Sequence, residues 1–252
     1  MPELAASQWF FLVAITLGAG IIQSATGFGF AVIAVPLFLL TLDSLTVIQI
    51  NIVLNLVNAL VVVPRIWRQA PVGLLRGLVA GTVLGLPLGM AAFLYVSVNQ
   101  MKLGVALLII GFALHLLLRK TQADPAATPS TRASVAVGGF SGALTSALAM
   151  PGPPVLIYLS HYSLAKEAFR SVNLTLYVFS YGLALVLQSI FGAMTAATWA
   201  LSGMLVPVAM IGAVLGHRLS PWLSEKVFRA GVLATLLATG VYMIFATLSA
   251  GA

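Results

Sequence analysis

The chain has 252 residues, of which 61% are hydrophobic and only 7% are charged, and its formal net charge is +7. A soluble domain carries roughly 25% charged residues, so this composition excludes a water-soluble fold of the same length. The absence of cysteine excludes disulfides, thiolate catalysis and cysteine-ligated metals. The basic residues are scattered between apolar stretches, a pattern that orients membrane proteins and does not indicate nucleic-acid binding.

Apolar stretches long enough to cross a bilayer recur along the whole chain. A hydrocarbon core about 30 Å thick needs roughly 20 apolar residues for each helical crossing. The predicted fold class is therefore an all-α integral membrane protein, embedded in the lipid bilayer. The predicted crossings cover residues 45–64, 73–98, 101–118, 168–194, 199–216 and 227–249.

Two further apolar stretches, 9–42 and 134–159, each contain an interruption. The first is interrupted between Gln23 and Gly29, and the second between Ala149 and Pro154. Proline removes a backbone hydrogen bond and glycine loosens the backbone, so both stretches should break within the membrane. Non-helical backbone at that depth is tolerated only when it is buried in protein or lines a cavity.

The chain is predicted to consist of two repeats, 1–119 and 133–252, joined by a hydrophilic cytoplasmic linker at 120–132. Each repeat contains one broken stretch followed by three crossings. Similar residues recur at a constant offset of 122 positions, and both broken stretches fall in register. The matching pairs are Gly20 and Gly142, Gln23 and Thr145, Ser24 and Ser146, and Asn51 and Asn173.

The distribution of basic residues favours one topology for the broken stretches. If both crossed the membrane fully, the twelve Lys and Arg residues would divide evenly between its two sides. If each is instead a re-entrant hairpin, eleven share one side and only Lys102 lies opposite. The second arrangement is the one that the positive-inside rule favours. It predicts six full crossings, both termini outside the cytoplasm, and a second repeat that is inverted relative to the first.

Polar residues inside the membrane indicate where the function lies, because each of them costs free energy unless it is partnered. No acidic residue falls deep within a predicted crossing, which argues against a carboxylate proton relay or cation site. Neutral donors and helix ends remain, and these suit an anion. The three histidines, His115, His161 and His217, have no metal-ligand spacing, so we predict no metal and no cofactor.

Each interruption should be followed by a new half-helix, beginning near Phe30 and near Pro153. The first amides of a helix lack intrahelical partners, and the helix dipole places positive charge there. Two such N-termini meeting near the midplane would bind an anionic oxygen without a charged side chain. The predicted substrate-binding residues are Gln23, Ser24, Thr26, Gly27, Phe28, Gly29, Asn51, Asn55, Thr145, Ser146, Met150, Gly152, Arg170, Asn173 and Tyr177.

The interrupted segments also resemble the signatures of a known family. The run from Gly18 to Pro36, followed by a helix with Asn51, resembles the first signature of the TauE/SafE sulfite exporters, also called 4-toluene sulfonate uptake permeases. The segment from Gly138 to Pro154 resembles the second signature. The likeness covers nearly the whole chain, although the glycine triplet usual in the family is reduced to Gly27 and Gly29 in the first half.

The resemblance implies a secondary transporter in the bacterial inner membrane that moves sulfite, sulfonates, sulfoacetate-like compounds or organic acids, with possible proton coupling through the substrate. A passive anion channel with the same architecture is an alternative. A third alternative is an intramembrane serine protease, because the segment around Ser141 fits Gly-x-Ser-Gly. Such a protease needs a histidine deep in a later helix, whereas His217 lies at a predicted boundary.

Overall fold

The computed structural model describes residues 5–42, 44–118 and 128–222, and these residues form helices and no strand. The all-α prediction is therefore confirmed. The helices are α1 (Ala6–Thr26), α2 (Phe30–Leu42), α3 (Thr46–Ile66, continued by a 3-10 turn at Trp67–Gln69), α4 (Val72–Tyr95), α5 (Val98–Leu118), α6 (Thr131–Leu148), α7 (Gly152–Leu159), α8 (Lys166–Phe191) and α9 (Ala196–Leu219).

Within the described ranges, six helices are long and apolar enough to cross a membrane, namely α1, α3 with its 3-10 turn, α4, α5, α8 and α9. Five of them overlap predicted crossings, and α1 is the first limb of the broken stretch 9–42. Local sequence explains several helix starts. The hydroxyls of Ser130 and Thr195 accept hydrogen bonds from backbone amides in the first turns of α6 and α9. The predicted helix 227–249 and linker residues 120–127 lie outside the described residues.

The two limbs of each broken stretch run antiparallel. Gln8, at the start of α1, donates a hydrogen bond from Nε2 to the carbonyl oxygen of Thr41, at the end of α2, over 3.2 Å. In the second stretch, the hydroxyl of Tyr158, near the end of α7, lies 2.9 Å from Ser134 Oγ and donates to Ser130 O at the start of α6. We call α1–α2 the first hairpin and α6–α7 the second hairpin.

The helices that follow the hairpins, α3 and α8, pack against each other and run antiparallel. Near the start of α3, Gln49 Nε2 donates to Gln188 Oε1, near the end of α8, over 3.2 Å. At the other end of the pair, Ser171 Oγ in α8 donates to the carbonyl oxygen of Ile66 over 2.7 Å. We call this second end the basic end, because all the described Lys and Arg residues except Lys102 lie in the helix ends that meet there.

The two hairpins enter the bundle from opposite ends. The second hairpin begins at the basic end, where Ser134 lies against Gly77 near the start of α4. The first hairpin instead has its turn towards the basic end, because Ser220, just after α9, donates from Oγ to Ala25 O over 2.9 Å. Lys166 at the start of α8 donates to the carbonyl oxygen of the same serine over 2.6 Å.

Each hairpin packs against a helix of the other half of the chain. Glycine recurs every fourth residue along α4, and four of these glycines face α6, namely Gly77, Gly81, Gly85 and Gly89. A Cβ atom added at Gly85 would collide with the carbonyl of Gly139. In the same way α9 packs against α1, where a Cβ at Gly212 would lie 2.9 Å from Leu17 O. Small residues permit this close approach of helices in a membrane protein. Each half of the chain therefore packs its hairpin against a helix of the other half. This arrangement is compatible with two related halves that interlock.

Candidate functional site at the two helix breaks

The first break is a left-handed helix end followed by a new helix. Gly27 has φ +91° and donates its amide to Gln23 O over 2.7 Å, which ends α1, and α2 starts three residues later at Phe30. A Cβ at Gly27 would lie 2.8 Å from Arg170 Cα, so glycine is required both for the conformation and for the approach of α8. The hydroxyl of Thr26 is within 2.7 Å of Ile22 O, so it serves the backbone of its own hairpin.

The second break has the same geometry with different residues. Ala149 ends α6 in the left-handed conformation, with φ 55°, and its amide donates to Thr145 O over 2.9 Å. The next helix starts three residues later, at Gly152. The two left-handed residues and the two new helix starts are each separated by the 122 positions found in the sequence. Both breaks are buried, as are Phe28, Met150 and Gly152.

The two new helix starts do not offer equal numbers of amides. At the start of α2, residues 30–32 all carry backbone N–H groups that have no carbonyl partner within the helix, and all three residues are buried. In α7, Pro153 and Pro154 occupy the first turn and carry no N–H group. The start of α2 therefore offers more backbone amides without an intrahelical partner than the start of α7, whereas sequence reasoning treated the two as equivalent.

Gln23 and Ser24 attach the first hairpin to α3. Both donate to the side-chain oxygen of Asn58, over 3.2 and 2.9 Å, and Asn58 Nδ2 donates to Gly20 O over 3.2 Å. The three side chains of this cluster are buried and are bonded to one another. Sequence analysis did not select Asn58 as a site residue, although an amide within an apolar helix is the type of residue that indicates such a contact.

Arg170 connects three helices at the basic end. Its Nε donates to Ser24 O over 2.6 Å, its Nη1 lies 3.0 Å from Glu167 Oε2, and its Nη2 lies 2.7 Å from His217 Nδ1. Ser24 O belongs to the last turn of α1, where the helix dipole is negative, so the guanidinium stabilises that helix end. The side chain is 2% exposed. Arg170, predicted to bind substrate, thus has protein groups of three helices as its partners in the structure.

Three buried asparagines share an orientation that the sequence did not predict. Asn51, Asn55 and Asn173 each donate from Nδ2 to the carbonyl oxygen four residues earlier in their own helix, over 3.0, 2.8 and 2.9 Å. The side-chain oxygen of each is buried and has no hydrogen-bond partner. These residues were predicted as donors to an anion; one N–H of each Nδ2 is used by its own helix, and each side-chain oxygen is an acceptor without a partner.

The polar residues of the second hairpin form their own set of contacts. Thr145 donates to Ser141 O over 2.7 Å, as serines and threonines of membrane helices commonly do. Gln188 in α8 donates to Ser146 O over 3.2 Å, while the Ser146 hydroxyl is buried without a partner. Tyr181 donates its hydroxyl to Ala149 O over 2.9 Å and so binds the break directly. Tyr181 was not among the predicted site residues. Its position one turn after Tyr177 is the sequence feature that could have indicated this contact.

Along α8, Asn173 lies between the positions that contact the two breaks. Arg170 contacts Gly27 of the first break, and the Tyr177 hydroxyl is 2.7 Å from where a Cβ of Gly152 would be. Arg170 and Tyr177 are seven residues apart, which is about 10 Å along a helix. The two breaks therefore contact α8 through residues that are about two helical turns apart.

Asn51 and Asn173 are not neighbours. In the antiparallel α3–α8 pair, Gln49 lies level with Gln188 and Ile66 lies level with Ser171. Asn173 therefore lies level with about Pro64, and Asn51 is about 20 Å away along the axis of the bundle. The two asparagines, equivalent in the predicted repeats, each lie near a different break.

The protease alternative has no support in these contacts. Ser141 Oγ donates to Pro151 O over 2.8 Å at the second break, whereas His217 lies against Arg170 at the basic end. A nucleophile and its base must lie within hydrogen-bond reach of each other. In the part of the chain that the structure describes, no three His, Cys, Asp or Glu side chains cluster in a way that would hold a metal ion.

Comparison with known proteins identifies one family. The model of the family "Sulfite exporter TauE/SafE" matches residues 12–243. The match begins within α1 and includes both breaks and all the other described helices. No significant match to a curated protein or to a solved structure was found.

Proposed function

The chain belongs to the TauE/SafE sulfite exporter family, and from this premise we propose that it is a secondary transporter of small sulfur-containing or organic oxyanions. It works by alternating access in the bacterial inner membrane, with the basic end on the cytoplasmic side. The substrate binds between the two helix breaks, close to the start of α2.

The observation that carries this proposal is the buried start of α2 in a region without negative charge. Three consecutive amides of its first turn have no partner within the helix, and the helix dipole adds a positive potential there. Among the described residues Glu167 is the only acid, and its carboxylate is paired with Arg170. An anionic oxygen is therefore the ligand that this helix start favours.

The interlocked hairpins support an alternating-access mechanism. The hairpins enter from opposite ends, and each packs on a helix from the other half of the chain, α1 on α9 and α6 on α4. A movement of one half against the other therefore moves both breaks. Transporters built from inverted repeats expose a central site to alternate sides of the membrane by such movements.

The proposal is tested with the detergent-purified protein and with proteoliposomes. Ligand at a hundredfold excess over its Kd stabilises the folded state by about 2.7 kcal/mol, which raises the melting temperature by several degrees. We expect sulfite or a sulfonate to do this for the wild type and for Asn99→Ala, whose side chain is exposed on α5. Asn173→Ala should insert in the membrane but show a smaller shift.

Transport in proteoliposomes separates the carrier from a channel. Uptake of labelled substrate should saturate and should be accelerated by unlabelled substrate on the opposite side, because a carrier exchanges bound substrate. Flux that rises in proportion to the gradient without saturation would identify a channel instead. Normal sulfite or sulfonate transport by Asn173→Ala would show that the assigned site is wrong.

A further inference from the structure

Asn173 presents a hydrogen-bond acceptor between the two breaks. Its side chain is fully buried, and its Oδ1 has no partner. A buried acceptor left unpaired costs roughly 1–3 kcal/mol, so buried polar groups in native proteins are almost always satisfied. The position of Asn173, between the α8 residues that contact Gly27 and Gly152, is where the proposed substrate would provide that partner.

The orientation of this amide is determined by its own helix. Asn173 Nδ2 donates to Phe169 O over 2.9 Å. Exchanging the nitrogen and the oxygen would place two carbonyl oxygens against each other, which is repulsive, because a carbonyl oxygen only accepts hydrogen bonds. Asn51 and Asn55 of α3 make the same bond to their own helix, so the side-chain oxygen has no partner in any of the three asparagines.

An oxyanion without a hydrogen atom to donate leaves this acceptor unpaired. A negatively charged oxygen against Asn173 Oδ1 would meet a partial negative charge in a region of low dielectric, where the repulsion is stronger than in water. An anion that also carries an O–H or N–H group can donate to it. The hydroxyl of a hydroxysulfonate and the proton of a monoprotonated oxyanion share this chemistry.

We propose that Asn173 makes the transporter selective for small anions that carry their own hydrogen-bond donor, by accepting that hydrogen bond at Oδ1. The inference rests on the proposed function, since it assigns the substrate class of the same site. A site built to bond a donor rejects the analogue that lacks it, because its own polar group is then left unpaired.

The first test uses two ligands that differ in one group. In 2-hydroxyethanesulfonate a hydroxyl occupies the position that a methyl group takes in 1-propanesulfonate, so charge and size are matched. Wild-type protein should bind the hydroxylated ligand about tenfold or more tightly, measured by competition against labelled substrate, since one buried hydrogen bond accounts for roughly that factor. Equal binding of the two ligands by the wild-type protein, or tighter binding of 1-propanesulfonate, would overturn the inference.

The second test removes the acceptor at nearly constant volume. Asn173→Leu should bring the affinities of the two ligands within about twofold of each other, whereas the exposed control Asn99→Leu should retain the preference of the wild type. For sulfite, wild-type affinity should rise as falling pH protonates the ligand, and Asn173→Leu should lose that dependence. A selectivity that is unchanged in Asn173→Leu would overturn the assignment.

The outcomes also separate this inference from the proposed function. If no sulfonate or sulfite binds or moves in the wild type, the proposed function fails. If both sulfonates move equally well, the function stands and the donor selectivity fails. Stabilisation by sodium alone that Asn173→Leu abolishes would assign the oxygen to a cation and would likewise refute the inference.

Discussion

The close packing of α4 against α6 is tested by adding a single methyl group. At Gly85 a Cβ atom would collide with the carbonyl of Gly139 and would lie 3.0 Å from the amide nitrogen of Ala143. These are backbone atoms of α6, and they cannot turn aside as the end of a flexible side chain can. Gly85→Ala therefore forces the two helices apart, and the second hairpin moves with α6.

The expected cost combines two opposing effects. Overpacking a tight interior costs typically 1–3 kcal/mol, and a clash with backbone belongs at the upper end of that range. Alanine in a helix interior is more favourable than glycine by roughly 0.5–1 kcal/mol. The net destabilisation is thus about 2 kcal/mol, which lowers the melting temperature of a chain of this size by roughly 4–8 °C.

The assay is thermal unfolding of the purified variants, with Gly203→Ala as the matched control. Gly203 also lies inside a helix, α9, but a Cβ there would have no neighbour within 4 Å. The control should melt at the wild-type temperature or slightly above it, because only the helix propensity changes. If Gly85→Ala melts no lower than Gly203→Ala, the α4–α6 packing described above is wrong.

Two further predictions concern the basic end. Arg170→Lys keeps the charge but cannot reach Ser24 O, Glu167 and His217 together, so we expect a loss of about 2 kcal/mol or more and at least tenfold slower transport, measured by thermal unfolding and proteoliposome flux. His217 Nδ1 accepts a hydrogen bond from Arg170 Nη2 over 2.7 Å. His217→Ala removes this acceptor and leaves an N–H of the buried guanidinium without its partner, so we expect a loss of about 1–3 kcal/mol of stability, measured by thermal unfolding. A melting temperature equal to that of the wild type would contradict this role.

The hairpins were largely predictable because their breaks depend on local chemistry. Glycine at position 27 and prolines at 151, 153 and 154 interrupt apolar runs, and the structure places helix ends and starts at those segments. A proline near the end of a predicted crossing was a poorer guide to where the helix ends. Residues 45–64 were predicted as one helix, and α3 continues through Pro64 to Ile66, so this proline does not end the helix.

Contacts between the halves could not be predicted from local sequence. Arg170 binds Ser24 O, 146 positions earlier in the chain, and His217, 47 positions later, and nothing in the local pattern of any of these residues indicates the others. The same limit applies to the asparagines. Their burial followed from the apolar sequence around them, but whether an amide bonds its own helix or a ligand depends on the rotamer that the surrounding helices permit.

The most direct test of the central claim is whether the two hairpins enter the membrane from opposite faces. The chain has no cysteine, so single-cysteine variants can be labelled without background. Ser7 lies at the open end of the first hairpin and Ser163 follows the second, and both are exposed. In right-side-out vesicles, a membrane-impermeant thiol reagent should label Ser7→Cys directly and Ser163→Cys only after permeabilisation. Labelling of both variants from the same side would contradict the account.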